Sequence, residues 1–402
     1  MRAINDNQYK SVSELHRKSD AKVRGYYYKK MEIFLFVMLV TLLTGCGGGS
    51  AGSTAASNTT ASENSLLQEV ETSLALKAVQ QGHITDSLTG EPLPNVEVSI
   101  GSQTATTDTD GFYTISSLTE TEEAVINFEK EGYLLGSTKI QIKELSEDNT
   151  PSTNYLEYTM HAKNYQWDFN SNDEVSGSHI IIDASVSYES INRKSYNGTN
   201  TAELIYFDIT SSEGKAAFPG AFKGINSNGT IVQFETYGLI SITLKDNNGN
   251  TLRLAESETA TLRFDAVSSL EKPDTLPLWY YDYDQGLWFE EGYAQLQEDG
   301  SYKGDISHLG SWSLNKPLEN ETGIYRGRII DEGGSPISDV RLQAIGNNWI
   351  SSDLSTDEDG VFEIEVIPGE SFKLKAYNYK DKYEANYNGS IASIDSGEIV
   401  EI

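Results

Sequence analysis

The stretch TDTDGFYTI at residues 107–115 recurs as TDEDGVFEI at residues 356–364, and the stretches before them match as well. Residues 82–100 read GHITDSLTGEPLPNVEVSI, and residues 327–345 read GRIIDEGGSPISDVRLQAI. In each copy, short β-branched or aromatic runs alternate with Gly/Pro or acidic turns, which is typical of antiparallel strands. The chain therefore contains a repeat that reads as strand, Gly/Pro turn, strand, acidic turn and strand.

The last strand of each copy has a side-chain alternation that indicates one buried face. Tyr113 and Ile115 are two residues apart, so both lie on the same face of a strand. The second copy places Phe362, Ile364 and Val366 on one face, with acidic residues between them. We expect each copy to fold as a small β-sandwich with these apolar side chains in its core.

The two copies resemble carboxypeptidase regulatory-like domains, the transthyretin-like β-sandwich of many bacterial surface proteins. The resemblance depends on three motifs, which are G-x-[IV]-x-D, P-[LI]-x-[DN]-V after a Gly/Pro turn, and T-D-x-D-G-x-[FY]. It implies one such domain at residues 78–148 and another at residues 319–402. In that family the domain has no catalytic activity of its own and serves as a spacer or chaperoning appendage, while related folds bind carbohydrate.

The region between the copies, residues 149–318, also reads as strands. Asn228-Gly229 and Asn248-Gly249 are strong hairpin signals, because this dipeptide favours the two-residue turn between antiparallel strands. A third hairpin turns at Asp284-Gln285-Gly286. Its pattern P-L-W-Y-x-D-x-x-x-G-x-W-x-E-E-G is similar to a β module of bacterial surface proteins and of cartilage intermediate layer protein. We therefore expect an all-β mature protein of tandem β-sandwich domains.

Residues 1–45 carry a pattern that predicts a lipoprotein signal peptide with a long leader. Lys29 and Lys30 precede an apolar run of 11 residues at positions 33–43, which is too short for a helix that spans a bilayer. The alternative is a buried core helix. The glycines and the Ser/Thr/Ala/Asn-rich tract that follow favour a signal peptide, and they predict that residues 46–77 form a lipid anchor and a flexible linker.

Leu43-Thr44-Gly45-Cys46 resembles the bacterial lipobox, and Cys46 is the only cysteine of the chain. In that family the thiol receives a diacylglycerol, the chain is cleaved before the cysteine, and the new amino terminus is acylated. The resemblance implies a membrane anchor of several acyl chains, since one chain alone binds a membrane only marginally. Gly47, rather than Asp, after the anchor implies outer-membrane sorting in a Gram-negative envelope.

The charge of the chain argues against several kinds of partner. The chain carries 30 basic and 60 acidic residues, a net charge of −30 at pH 7. Cleavage before Cys46 removes eight basic and four acidic residues, so the mature protein has a net charge of −34. Such a surface repels nucleic acid and anionic lipid headgroups. We therefore expect no nucleic-acid partner.

The acidic turns of the repeat allow two interpretations. Asp108, Asp110, Asp357 and Asp359 are candidate calcium ligands. However, an EF-type loop closes with a bidentate Glu at its twelfth position, and neither copy has Glu there. In the structural interpretation, Asp108 and Asp357 accept backbone hydrogen bonds while the glycine of the turn adopts a positive φ. The alternative is a weak calcium site of another type, and we expect no other cofactor.

The third hairpin concentrates aromatic side chains that could bind a glycan. Flat aromatic rings stack on sugar rings, and neighbouring carboxylates accept hydrogen bonds from hydroxyls. Cross-strand aromatic pairs also stabilise ordinary hairpins, and alternation places Trp279, Tyr281 and Tyr283 on one face that would suit a core. Both interpretations fit the pattern. The candidate ligand-binding residues are Trp279, Tyr280, Tyr281, Tyr283 and Trp288.

The sequence shows no arrangement typical of a catalytic site. It has no G-x-S-x-G motif and no free cysteine once Cys46 is acylated, and the histidines of the mature chain lack zinc-site spacing. We interpret these histidines as surface or strand residues. We predict a non-enzymatic, membrane-anchored surface lipoprotein that acts as an adhesion, scaffold or binding component, with a glycan or a surface protein as its partner. The alternatives are a carbohydrate-binding lipoprotein and a hydrolase that uses loop carboxylates.

Overall fold

The computed structural model of the protein describes residues 78–142, 153–209, 211–265, 267, 269–318, 323–331, 333–338, 340–346, 349–351, 354–378, 383–391 and 399–401. The predicted signal peptide, Cys46 and the predicted linker lie outside these ranges. The regular secondary structure of the described part is β-strand apart from one five-residue helix, which confirms the all-β fold. Within it, no helix is both long and apolar enough to span a membrane.

Seven strands form the first sandwich. They are β1 (Ala78–Asp86), β2 (Glu97–Ile100), β3 (Gln103–Thr106), β4 (Phe112–Leu118), β5 (Thr121–Glu129), β6 (Gly136–Ile142) and β7 (Thr153–Met160). One sheet has the order β4-β1-β7 and the other the order β3-β2-β5-β6. β7 pairs with β1 in parallel along its whole length, so that Asp86 lies opposite Met160. The first sandwich therefore extends to Met160, whereas the sequence predicted a boundary at residue 148.

The central domain contains fourteen strands and one short helix. They are β8 (Tyr165–Asn170), β9 (Val175–Ser176), β10 (Ile180–Ile182), β11 (Tyr188–Ser190), β12 (Ser195–Tyr196), β13 (Thr199–Phe207), α1 (Ser212–Ala216), β14 (Lys223–Ile225), β15 (Ile231–Lys245), β16 (Thr251–Leu254), β17 (Ala260–Phe264), β18 (Thr275–Asp282), β19 (Leu287–Leu296), β20 (Tyr302–Ile306) and β21 (Gly310–Pro317). All fourteen strands belong to one sheet.

The long strand β15 organises this sheet. It pairs with β13, β14, β16 and β21. Because β14 pairs with β15 on one side and with β19 on the other, the strands β15, β21, β18, β19 and β14 close into a ring. The three predicted hairpins are confirmed as β14–β15, β15–β16 and β18–β19, and Gly229, Gly249 and Gly286 adopt the positive φ that their turns require.

The second sandwich repeats the topology of the first. Its strands are β22 (Gly323–Arg328), β23 (Arg341–Ile345), β24 (Leu354–Ser355), β25 (Val361–Val366), β26 (Phe372–Asn378), β27 (Tyr383–Ile391) and β28 (Ile399–Glu401). The sheet orders β25-β22-β28 and β24-β23-β26-β27 correspond strand for strand to those of the first sandwich. In both copies the last strand pairs in parallel with the first. The sequence repeat is therefore a repeat of the whole seven-stranded unit.

The threonine that opens the acidic turn bonds to the segment that precedes the second strand of each sandwich. Thr107 Oγ1 accepts a hydrogen bond from the amide of Val96 at 2.9 Å and donates one to the carbonyl of Leu93 at 2.7 Å. Thr356 makes the equivalent bonds at 3.0 and 2.8 Å. Both side chains are buried. Their hydroxyls therefore satisfy backbone groups where the strand ladder is interrupted.

Three clusters of buried apolar side chains stabilise the described part. One fills the first sandwich and includes Tyr113 and Ile115, and another fills the central sheet. The third is shared between domains, because it joins Trp279 of the central domain to Phe362 and Ile364 of the second sandwich. The apolar residues that the sequence assigned to the two sandwich cores are all buried, which confirms that assignment.

Candidate functional site at the junction of the three domains

The aromatic hairpin β18–β19 points most of its rings into the protein. Trp279, Tyr281 and Trp288 have 0% exposed surface, and all three belong to the cluster shared with the second sandwich. A ring that protein covers on both faces cannot stack on a sugar. The prediction that these three residues bind a ligand is therefore wrong, and the packing interpretation is confirmed for them.

Tyr280, a further candidate, lies on the opposite face of β18 and is half-buried. Its ring packs edge-on against His308, with centroids 4.2 Å apart, and its centroid is 5.5 Å from that of Trp312. A Cβ atom at Gly310 would lie 2.8 Å from the same ring. Burial is the main cause that raises the pKa of the Tyr280 hydroxyl. The ring is thus mainly a packing element.

The tyrosine hydroxyls of the hairpin attach the central domain to the first sandwich. Tyr281 Oη donates to Ser137 Oγ at 3.1 Å, and Tyr283 Oη donates to the carbonyl of Leu135 at 3.1 Å. In return, Asn127 Nδ2 donates to the carbonyl of Tyr283 at 3.0 Å. Burial raises the pKa of both phenols. The sequence signal was the use of Tyr rather than Phe, since a buried phenol needs a polar partner.

The carboxylates of Asp108 and Asp357 stabilise the acidic turns by accepting hydrogen bonds from backbone amides of the same turn. Asp108 Oδ1 accepts hydrogen bonds from the amides of Asp110 at 3.0 Å and of Phe112 at 2.9 Å, and Gly111 has a φ of 77°. Asp357 accepts equivalent bonds, one of them from the amide of Asp359 at 3.0 Å. The structural interpretation of these turns is confirmed. Among the described residues, no group of three or more His, Cys, Asp or Glu side chains is placed to hold a metal ion.

Two of the histidines are buried, contrary to the interpretation as surface or strand residues. His161 and His179 are each 5% exposed. The ring of His179 stacks on Tyr206 with centroids 3.9 Å apart, and its Nδ1 lies 3.3 Å from the carbonyl of Arg263. Burial is the main cause that lowers the pKa of both imidazoles. His83 and His308, the other two histidines of the described part, are more exposed.

A cleft of about 670 Å³ lies where the three domains meet. Strands β6 and β7 form its wall on the first sandwich, the segment from α1 to β14 forms the central wall, and β23 and β26 form the wall on the second sandwich. A concave site of this size with a few placed polar groups suits a small ligand. The polar and charged side chains that line the cleft are Ser137, Thr138, Glu157, Tyr158, Thr159, Lys215, Gln343, Ser371, Lys373 and Lys375.

The charged side chains of the cleft come from positions far apart in sequence. Lys215 extends from α1, Lys373 and Lys375 from β26, and Glu157 from β7. Lys215 Nζ donates to the carbonyl of Gly346 at 3.3 Å, which connects the central wall to the second sandwich. Burial first, and then the neighbouring Lys373 ammonium, lower the pKa of Lys215. Sequence reasoning missed this site because the three lysines share no motif.

Hydrogen bonds hold the walls of the cleft in place. The Gly220 amide donates to the carbonyl of Ser137 at 3.1 Å, and the Ser137 amide donates to Tyr158 Oη at 3.3 Å. The ring of Tyr158 stacks on Phe128 with centroids 4.2 Å apart, and burial raises the pKa of its hydroxyl to about 12. These contacts fix the wall of the first sandwich against the central wall.

Comparison with known proteins identifies the type of the first domain. Residues 81–150 match the family model of the carboxypeptidase regulatory-like domain, a range that covers most of the first sandwich. The expected domain type is therefore confirmed there. None of the curated proteins that were compared matches the chain.

Several solved structures are similar to this chain at low identity. A chain of a type II cohesin–X-dockerin interface mutant from Acetivibrio cellulolyticus is 16% identical, covers 21% of this chain and 58% of that chain, and has a TM-score of 0.17. The major pilin BcpA of Bacillus cereus is 12% identical and has a TM-score of 0.20, and the match covers 81% of this chain and 98% of the pilin chain. The major pilin SpaD of Corynebacterium diphtheriae is 10% identical and also has a TM-score of 0.20, and the match covers 82% of this chain and 97% of the pilin chain.

The chain thus spans only 58% of the length of the cohesin–X-dockerin chain that it matches. At such identities and TM-scores, these similarities carry no argument about ligand, partner or assembly.

Proposed function

We propose that the protein is a non-enzymatic binding component of a bacterial cell envelope, held at the membrane by a lipid on Cys46. The observation that carries the binding role is the junction cleft, to which all three domains contribute side chains. Its hydroxyl and amide side chains, Thr138, Thr159 and Gln343, suit a ligand rich in hydroxyl groups. A glycan is therefore the favoured ligand class, with a surface protein as the alternative.

The accessory character of the protein is supported by the domain type of residues 81–150, which match a regulatory-like domain. A retention experiment on insoluble polysaccharide tests both parts of this proposal. We expect the full-length protein to be retained, and the polysaccharide to release no soluble sugar on prolonged incubation. Release of reducing ends by the purified protein would contradict the non-enzymatic role, and failure to bind any polysaccharide would leave a protein partner as the remaining ligand class.

The lipid anchor is supported by the lipobox resemblance at residues 43–46. Several acyl chains on Cys46 would hold the acidic body at a membrane that its own surface charge repels. Outer-membrane placement is part of the proposal, on the ground of Gly47.

Replacing the anchor cysteine tests the membrane attachment. We expect Cys46→Ala to appear in the soluble fraction and to lose metabolic labelling by a clickable fatty acid. Ser50→Ala, which changes the adjacent linker and leaves the lipobox intact, is the matched control and should remain labelled in the membrane fraction. Membrane association of Cys46→Ala after an alkaline carbonate wash would show that the cysteine is not the anchor.

A further inference from the structure

The junction cleft carries a charge opposite to that of the whole chain. The chain has 60 acidic residues against 30 basic ones, whereas the charged side chains that line the cleft among the described residues are three lysines and Glu157. Lysine side chains that line one cavity repel each other electrostatically, and a bound anion reduces this repulsion. The lowered pKa of Lys215, caused by burial and then by Lys373, is consistent with this repulsion.

We propose that the cleft binds an acidic oligosaccharide, whose carboxylate or sulfate groups contact Lys215, Lys373 and Lys375. This inference rests on the proposed glycan-binding function and specifies the class of glycan. The three ammonium groups come from two domains, so a ligand that bridges them would also bridge the central domain and the second sandwich.

The remaining lining of the cleft favours a saccharide over an acidic peptide. The side chains of Gln343, Thr138 and Thr159 both donate and accept hydrogen bonds, as sugar hydroxyls do. Ile345 and Ile350 offer apolar surface to the C–H faces of sugar rings. A cleft of about 670 Å³ is within the usual range for a small ligand.

Long-range electrostatics also limit the length of the ligand. A long polyanion would extend beyond the lysines and meet the field of a protein with a net charge of −30. A short acidic oligosaccharide places its few charges beside the three ammonium groups and exposes little charge elsewhere. We therefore expect recognition of an oligomer of a few sugars, or of the end of a chain.

Calorimetric titration of the full-length protein in non-ionic detergent tests the inference with two probes that share a backbone and differ in charge. The probes are trigalacturonate and its fully methyl-esterified form, which has the same backbone without the carboxylate charges. We expect trigalacturonate to bind at least about tenfold more tightly than the ester. Raising the salt from low to near-molar concentration should weaken its binding, because salt screens partly exposed charges.

Three variants with the same change of charge locate the binding site. Lys373→Gln and Lys375→Gln should each weaken trigalacturonate binding about tenfold. Lys194→Gln, at an exposed position outside the cleft, should change it less than about twofold. Circular dichroism and the melting temperature of each variant show whether it is folded.

Each contrary outcome overturns a different statement. Equal binding of trigalacturonate and its ester overturns the inference about charge and leaves the glycan-binding function intact. Tighter binding of hexaglutamate than of trigalacturonate identifies an acidic peptide as the ligand class and overturns the saccharide. No binding of trigalacturonate, or equal losses for the Lys373 and Lys194 variants, removes the lysine-lined cleft as an acidic-glycan site. The polysaccharide retention and Cys46→Ala experiments test the proposed function separately.

Discussion

The acidic turn requires glycine at Gly111 for two separate physical reasons. Its φ of 77° lies in the left-handed region that side chains disfavour. In addition, a Cβ atom there would lie 2.6 Å from the carbonyl oxygen of Ile84. Gly90, in the preceding turn, has a similar φ of 71° but no atom within 4 Å of a Cβ. Substitutions at Gly111 and at Gly90 therefore separate the cost of backbone strain from the cost of a steric clash.

We expect Gly111→Ala to destabilise the protein more than Gly90→Ala. Gly90→Ala is the control, and it should lose only roughly 1–2 kcal/mol of unfolding free energy through backbone strain. Gly111→Ala should lose a further 1–3 kcal/mol, roughly, because the strands must move apart to admit the methyl group. Chemical denaturation of both variants measures the difference. Equal losses would show that the contact with Ile84 relaxes without cost.

Among the elements, the β18–β19 hairpin serves both as a core element and as a connection between domains. Its buried indoles join the cluster shared with the second sandwich, and their N–H groups are satisfied by backbone carbonyls, as in the bond from Trp288 Nε1 to Pro219 at 3.0 Å. Its phenols reach the first sandwich through Ser137 and Leu135. The aromatic residues of this hairpin therefore hold three domains in one arrangement.

Tyr281→Phe removes one hydrogen bond between domains and little else. We expect it to lower the unfolding free energy by about 1 kcal/mol, because the Ser137 hydroxyl is left buried with one partner fewer. Tyr293→Phe is the matched control on the same hairpin, since Tyr293 is 55% exposed and its hydroxyl bonds to Glu290. Denaturation of both variants measures the effect. Indistinguishable midpoints would mean that the Tyr281 bond adds nothing to stability.

Over the whole molecule, a buried charge cluster connects the first sandwich to the central domain. Glu203 on β13 contacts Lys163, in the link between the two domains, at 2.5 Å, and Lys245 on β15 at 2.8 Å. Lys245 also lies 3.8 Å from Glu131 of the first sandwich. Burial opposes ionisation of Glu203, but the hydrogen bonds from Lys163 and Lys245 outweigh it, so the pKa of this carboxyl is lowered.

Glu203→Gln should therefore reduce stability at neutral pH and not in strong acid. A carboxyl whose pKa is lower in the folded state stabilises the fold above its ordinary pKa of 4.5, and this stabilisation is lost as the pH falls through the folded value. We expect a loss of roughly 2–4 kcal/mol at pH 7, because two ammonium groups lose their carboxylate. The difference in unfolding free energy between Glu203→Gln and the wild-type protein should disappear as the pH falls below 4.5.

The measurement is chemical denaturation of both proteins at a series of pH values. Glu271→Gln removes a carboxylate from an exposed pair with Lys316, so it serves as the control and should follow the wild-type profile closely. A loss for Glu203→Gln that is constant across pH would contradict the electrostatic explanation and indicate a packing defect instead.

Much of the local structure could be predicted from neighbouring residues. The Asn-Gly hairpins, the acidic turns with their glycines and the alternation of Tyr113 and Ile115 all depend on torsion preferences and on the two-residue period of a strand. These properties act over a few residues, and the repeat shows them twice. The all-β fold and the first regulatory-like domain followed from them.

Contacts between distant segments could not be predicted in this way. β7 pairs with β1 through residues more than seventy positions away, as His83 does with Glu157, and no local pattern specifies that partner. Whether Trp279 binds sugar or fills a core depends on what covers it, and Phe234 of the distant strand β15 packs against its ring with centroids 5.1 Å apart. The cleft brings Lys215 beside Lys373 only because three folded domains meet there, so its charge arises from packing and not from a motif.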